Sequence, residues 1–408
     1  MSKILFVSDI HIGIRYSYRV DLKTGLSERT VDFIKALERT VDFAIKEKID
    51  IFVICGDLYD RVTIGPTLLR QVRERIWQKL LEHKIPIILI GGNHDSPQII
   101  EKGSPYGEIS IIPNSIAVRT PQIHKMKLND VGEEIGFILL PYLTASQAVE
   151  YVEKVMGEEI ERGQFLVRSQ ELFKEWIKRQ VKSINTDIII IVGHFYVKGS
   201  KIGVIPYPEQ LPHEFVFKKE MIPLSDIDLA VFGHIHTHQI IDEKIVIPGS
   251  LERVDFGEID EDKGFIIFDT TTKEISFYSN NPRMLVKKTI MVPNNIENPT
   301  DYVISQLPQN IDEAVVRIEI KISTHLKTKI ITPKLHKPLE EKSFHYEIMW
   351  DTSERIKESI MPELILDPRV LFSEFVTETC KNFPHFEELK QKGLEILDKS
   401  LLIVEEIK

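Results

Sequence analysis

Five short apolar runs in this chain end on the same kind of residue, and that regularity limits the fold more than any other feature. Lys3–Ser8 (KILFVS) leads into Asp9-Ile10-His11, Ile51–Cys55 (IFVIC) into Gly56-Asp57, and Ile85–Ile90 (IPIILI) into Gly91-Gly92-Asn93-His94-Asp95. Asp187–Val192 (DIIIIV) leads into Gly193-His194, and Leu229–Phe232 (LAVF) into Gly233-His234-Ile235-His236. Runs of this length, rich in β-branched residues and bounded by Gly or Asp, are buried strands. Helical patterns near Glu28–Lys48, Pro66–Lys84 and Gln164–Ile184 lie between them, with a further strand at Phe137–Pro141. Such alternation predicts an α/β layered domain. In open α/β sheets, ligands bind at the carboxyl edge of the strands. Residues i and i+2 of a strand share a side, so Asp9 with His11, and His234 with His236, can each reach into one site.

A buried strand has no use for an imidazole at its tip, whereas a metal ion does. Carboxylate, amide oxygen and imidazole without thiolate suit a borderline-hard divalent ion such as manganese, with iron or zinc as alternatives set by availability. The side chains of Asp9, His11, Asp57, Asn93, His194, His234 and His236 are too many for one tetrahedral site. They suit two adjacent ions sharing one carboxylate. Two ions about 4 Å apart clamp a phosphate and activate water. His94 is left over as an acid or a phosphate-orienting group.

Composition excludes other classes. A chain of 408 residues suggests two or three domains. The net charge of −10 argues against a broad, non-specific nucleic-acid coat but not against a local phosphate contact. No apolar run reaches the roughly 18 residues of a membrane helix, and the N-terminus reads as a strand rather than a signal peptide. A cytoplasmic location is therefore expected. Cys55 and Cys380 are the only cysteines, too few and too far apart for a zinc knuckle or a disulfide framework. Gly199-Ser200-Lys201 lacks P-loop spacing, so no ATP site is expected.

Antiparallel strands are expected at Ile245–Pro248, Gly264–Asp269 and Glu274–Tyr278, and a boundary near Asn280–Arg283. The expected division is 1–280, 281–350 and 351–408. Met284–Val292 and Val315–Ile322 alternate as strands around a helix at Pro299–Leu307, which makes a small α+β unit. Lys321–Ser343, with its lysines and two prolines, reads as a loop or flexible linker. Asp367-Pro368 opens one terminal helix, and a second starts near Phe386. Its apolar face, with Phe386, Leu389, Ile396, Leu397 and Val404, fits a partner groove or its own chain. The face of the Pro66–Lys84 helix (Leu68, Leu69, Val72, Ile76, Leu80) fits core packing on the sheet. Arg15, Tyr16 and Arg19 fit an ordinary loop or a contact to a DNA backbone and base. His238 reads as a loop or surface residue.

The order D-x-H, G-D-x-x-D, G-N-H-D, G-H, G-H-x-H resembles the calcineurin-like metallophosphoesterases. Gly249–Glu258 (GSLERVDFGE), followed by Lys263-Gly264-Phe265 and later Asn281-Pro282-Arg283, resembles the SbcD exonucleases. That family includes the Mre-eleven nucleases of DNA double-strand-break repair. The likeness is close to about residue 270 and looser beyond. It implies a layered α/β metallophosphoesterase sandwich, a small α+β capping domain that binds DNA, and C-terminal helices that bind an ATPase. It implies two Mn2+ ions, one held by Asp9, His11, Asp57 and His236, the other by Asp57, Asn93, His194 and His234. His94 would be the catalytic histidine and Asp95 its orienting partner. The family cuts duplex ends as a 3′-to-5′ exonuclease and cuts single-stranded DNA as an endonuclease. It works as a homodimer with an SMC-like coiled-coil ATPase, SbcC or Rad-fifty, at DNA breaks in the nucleoid. Its dimer uses helices in the region of Pro66–Lys84, so the resemblance makes a dimer seam the alternative to core packing there. Some relatives carry a second histidine three residues after the bridging aspartate. This chain has Asp60, which leaves the balance of exo- and endonuclease activity open. The rival readings are a small-molecule or protein phosphatase on the same metal core, and a DNA-end-binding scaffold whose nuclease has lapsed.

Overall fold

Strand β1 (Lys3–Val7) turns Ile4 and Phe6 to one side and Leu5 and Val7 to the other, and all four are buried. A strand apolar on both faces needs a layer against each. In a computed structural model of the chain, Ile4 and Phe6 meet a second sheet, while Leu5 and Val7 meet helices. The structure describes residues 2–14, 20–96, 106–128, 132–157, 165–202, 205–206, 215–352, 369, 372–373, 376–377 and 385–406.

The strands that follow in the sandwich are β2 (Ile51–Ile54), β3 (Ile87–Ile90), β4 (Ile116–Val118), β5 (Gln122–Lys127), β6 (Glu134–Leu140) and β7 (Ile188–His194). After the short pair β8 (Lys201–Ile202) and β9 (Ile205–Pro206) come β10 (Leu229–Gly233), β11 (Gln239–Asp242), β12 (Ile245–Ile247), β13 (Gly264–Asp269) and β14 (Ile275–Ser279). One six-stranded sheet has the order β14-β13-β1-β2-β3-β4, the other β11-β12-β10-β7-β6-β5. The five ligand-bearing strands are thus divided between two sheets rather than gathered on one rim. β1, β2 and β3 run parallel to one another in the first sheet, and β7 and β10 in the second, so the carboxyl ends within each set finish together.

The apolar layer between the sheets contains Phe6, Val53, Ile90, Phe137, Val192 and Val231. Burying a side chain of this size contributes roughly 1.5–3 kcal/mol. Helix α1 (Glu28–Lys46) covers one outer face, together with α2 (Pro66–Val72), a π-helical turn (Arg73–Trp77) and α3 (Gln78–Glu82). Leu68, Val72, Ile76 and Leu80 are buried in that layer, with Leu69 partly so, which is the core-packing alternative for this helix face. Helices α4 (Ala145–Met156) and α5 (Phe165–Ser183) cover the other face.

Beyond Arg283, β15 (Leu285–Met291), β16 (Val315–Lys321) and β17 (His345–Asp351) form a parallel three-stranded sheet with α6 (Pro299–Ser305) packed on it. The expected linker Lys321–Ser343 is instead largely helical: α7 (Thr324–Lys327) and α8 (Thr332–Lys342) lie within it. Leu326, Leu335 and Leu339 anchor those helices in the core of the sheet. Pro333 stands in the first turn of α8, where a missing N–H costs nothing. Met1–Asp351 form one compact unit and Thr352–Lys408 a second. The second contains α9 (Phe386–Glu406), with the Phe372 ring lying against Gly393. Leu389 and Ile396 are exposed, Phe386 and Leu397 half-buried; the Val404 side chain lies outside the described residues, as do Asp367-Pro368, Arg15, Tyr16 and Arg19. Among the described residues no helix is long and apolar enough to cross a membrane.

Candidate metal centre

The strand tips bend sharply as they leave the sheets. Asp9, His11, Asp57 and His234 all have left-handed backbones, with φ of 49, 50, 49 and 96°. Such conformations cost a residue with a Cβ of order 1–3 kcal/mol and persist only where surrounding bonds impose them. Here the β1 and β2 tips bond to each other: Ile10 N–H and His11 N–H both donate to Asp57 O, at 2.8 and 3.0 Å. His234 N–H donates to both Asp9 oxygens at 3.1 Å, which joins the two sheets at the site. Gly56, at φ +94°, lies so close to His194 that a Cβ there would be 2.1 Å from Nδ1.

All seven residues expected as ligands converge. His11 Nε2 and His236 Nε2 face each other at 3.1 Å, and His11 Nε2 is 3.8 Å from Asp57 Oδ2. His194 Nε2 lies 3.4 Å from Asp57 Oδ2 and 3.0 Å from Asn93 Oδ1, which is also 3.0 Å from His234 Nδ1. Asp9, His11 and His236 form one cluster of ligand atoms within 4.8 Å, and Asp9, Asp57 and His194 another. Two imidazole nitrogens aimed at one another, with the carboxylates of Asp9 and Asp57 beside them, are what a cation between them would satisfy. The donor set therefore fits divalent ions. Burial, aided by the His236 ring, pulls His11 down to about 4, so at neutral pH it offers a lone pair. Burial opposes the Asp57 carboxylate, but the His194, His11 and His94 rings outweigh it and hold Asp57 below the usual range. Burial likewise opposes the charged form of His194, yet Asp57 and Asp9 raise it. His194 Nδ1 lies 2.7 Å from Cys55 O. Donation there fixes the tautomer and leaves Nε2 for a ligand bond.

His94 stands at the open side with its side chain 42% exposed, its ring T-shaped to His11 at 4.8 Å. Its N–H donates to Asp57 Oδ1 at 2.9 Å. Asp95 does not face it. That carboxylate accepts from Tyr59 N–H at 2.9 Å, Gly92 N–H at 3.2 Å and the Tyr106 hydroxyl at 2.7 Å, which braces the loop. Burial, with the charge of Asp57 behind it, raises Asp95. The carboxylate beside His94 is Asp60, whose Oδ1 is 4.0 Å from His94 Nδ1 and 3.8 Å from His11 Nδ1. His238 is packed away from the centre, stacked on Phe277 at 4.2 Å with Nδ1 2.8 Å from Ile247 O.

Sequence reasoning missed Glu258, 2.7 Å from His236 Nδ1, and Tyr142, whose ring lies 5.9 Å from that of His234. Glu258 stood in a stretch singled out only for its resemblance; Tyr142 follows a strand tip with no polar ligand to mark it.

The model of the calcineurin-like phosphoesterases matches residues 2–238. The D subunit of the SbcCD nuclease of Staphylococcus epidermidis is 24% identical over 356 residues, which cover 86% of this chain and 82% of that protein. TT1561 of Thermus thermophilus aligns over 69% of this chain and 99% of its own, at 15% identity and a TM-score of 0.38. A dimetal phosphatase from Danio rerio aligns over 65% and 91%, at 9% identity and a TM-score of 0.37. The strand-tip centre and the family match over more than half of the sequence agree: the chain belongs to the calcineurin-like phosphoesterases.

Proposed function

We propose that this protein is a manganese-dependent DNA nuclease, the nuclease subunit of a double-strand-break repair complex. The observation that carries this reading is the reach of the likeness to the staphylococcal nuclease chain. It spans 356 residues, well past the phosphoesterase region that ends at 238, and so takes in β15–β17 and their helices. A phosphatase sharing only the metal core gives no reason for that extension.

Asp9, His11, Asp57 and His236 would hold one ion, and Asp57, Asn93, His194 and His234 the other. The ions, when bound, clamp the phosphodiester and supply the nucleophilic water. The chain's own contribution is placement. Asp57 is fixed by its backbone and by His94 N–H, and Asn93 is shared between two imidazoles. His94 is the exposed imidazole nearest this cluster and stands where it can stabilise developing charge or protonate the leaving 3′-oxygen. The layer beyond Arg283 is the capping, DNA-binding domain, and the exposed side chains of α9 bind an SMC-like coiled-coil ATPase in a homodimeric assembly on DNA ends and single strands.

The test compares linear duplex DNA with para-nitrophenyl phosphate in the presence of Mn2+. Cleavage of DNA with little monoester hydrolysis is expected. Turnover of the monoester alone would assign the chain to the phosphatases, and manganese-independent DNA binding without cleavage would make it a scaffold. Capture of the ATPase by the full chain, and not by a chain ended before Phe386, tests the partner.

A further inference from the structure

The segment between β12 and β13 lies outside the metal cluster yet is built around one of its histidines. We propose that Glu258 is a positioning residue of the metal centre, holding the His236 ring so that Nε2 faces His11. This rests on the reading of His236 as a metal ligand.

Glu258 Oε1 lies 2.7 Å from His236 Nδ1, on the side of the ring opposite the metal cluster. Its other oxygen accepts from Val254 N–H at 2.8 Å and from Lys263 Nζ at 2.9 Å. Lys263 is wholly buried, and its ammonium also donates to His236 O at 3.0 Å and to Glu261 Oε2 at 2.7 Å. The same lysine therefore grips the backbone of the histidine whose ring Glu258 grips. Glu261 Oε1 accepts from the Thr237 hydroxyl at 2.8 Å, which holds the next residue. Arg253 closes the frame: its guanidinium donates to Glu258 O at 3.1 Å and Glu261 O at 3.0 Å.

A buried ammonium matched by two carboxylates is expensive to assemble and costly to break. Its placement fixes both ends of one histidine. His194 is oriented differently, by the neutral carbonyl of Cys55. A carboxylate behind an imidazole sets its tautomer and makes it a stronger donor, and loss of such a partner typically weakens metal binding about 10- to 100-fold. The structure thus predicts an asymmetry. The ion held by His236 depends on Glu258, and the ion held by His194 does not.

Mn2+ binding to the full chain is measured by calorimetry, with electron paramagnetic resonance to report the coupled pair, for the unaltered protein, Glu258→Gln and Glu258→Ala. Two ions are expected in the unaltered protein. Glu258→Ala should keep one at its original affinity and bind the other about 10- to 100-fold more weakly, losing the coupled signal at limiting Mn2+. Glu258→Gln should fall between, because its amide oxygen still accepts from Nδ1–H. Both ions bound with unchanged affinity in Glu258→Ala, or both weakened equally in the Ala and Gln forms, overturns the proposal. An unaltered protein that binds no divalent ion sinks the reading of the centre itself, a result distinct from either.

Discussion

His94 and Asp57 touch each other, yet their substitution should have opposite consequences for the metal. In the proposed arrangement the His94 ring is a ligand of neither ion, whereas its backbone N–H donates to Asp57. His94→Ser keeps that N–H. It should therefore bind Mn2+ as before and lose about 10²–10⁴-fold in DNA cleavage, the usual share of a single proton-transferring group. Asp57→Ala removes the carboxylate near both His11 and His194 and should lose metal and cleavage together. Calorimetric titration beside a cleavage assay separates the two, and normal manganese binding in Asp57→Ala counts against the shared-carboxylate arrangement. At this scale much was legible. Asp9, His11, Asp57, Asn93, His194, His234 and His236 each end an apolar run, and a chemical misfit at a strand tip shows in one dimension. The residues that orient them do not announce themselves. Glu258 is 22 residues from His236, and no periodicity connects them. Asp95 follows His94 directly, which suggested a partnership; a tight turn sends the two side chains apart, and Asp60, from another strand tip, comes closer.

Gly233 shows how the elements converge. It ends β10 and wedges between the tips of β1 and β2, where a Cβ would lie 2.1 Å from Ser8 Oγ and 2.2 Å from Cys55 O. The second contact cannot be relieved cheaply, because the Cys55 carbonyl is backbone and lies 2.7 Å from His194 Nδ1. Gly233→Ala should separate the sheets locally, destabilise the chain by about 1–3 kcal/mol in urea unfolding, and weaken Mn2+ binding. Unchanged stability and metal affinity would show that the sheet junction tolerates the shift and that the fit is not what places His234. The strands were readable because burial on both faces writes a continuous apolar run. Helix α8 was not, because its lysines and prolines carry the look of a linker. Its apolar signal is only two leucines, Leu335 and Leu339, one turn apart, and it becomes visible only with the sheet they cover.

On the scale of the whole molecule, the β15–β17 layer is fastened to the sandwich by a network of buried charge. Arg283 pairs with Asp32 through Nε at 2.6 Å and Nη2 at 2.8 Å, lies 3.6 Å over the Phe344 ring, and donates to Glu313 O at 2.7 Å. Its own N–H is held by Glu252 at 3.0 Å and its carbonyl by Arg253 at 3.1 Å. Asp32 also pairs with Arg29, which is 1% exposed and reaches Glu252 at 3.3 Å. Removing one partner from such a network leaves the others charged and poorly solvated, at a cost of about 3–5 kcal/mol. Arg283→Ala should lose stability on that scale while leaving every expected metal ligand intact. Mn2+ binding and hydrolysis of a small phosphodiester, measured well below the melting temperature, should therefore survive. Cleavage of duplex DNA should fall if, as proposed, the β15–β17 layer holds the duplex over the centre. If DNA and the small diester lose rate in the same proportion, the layer serves stability alone and the DNA-binding role proposed for it is wrong.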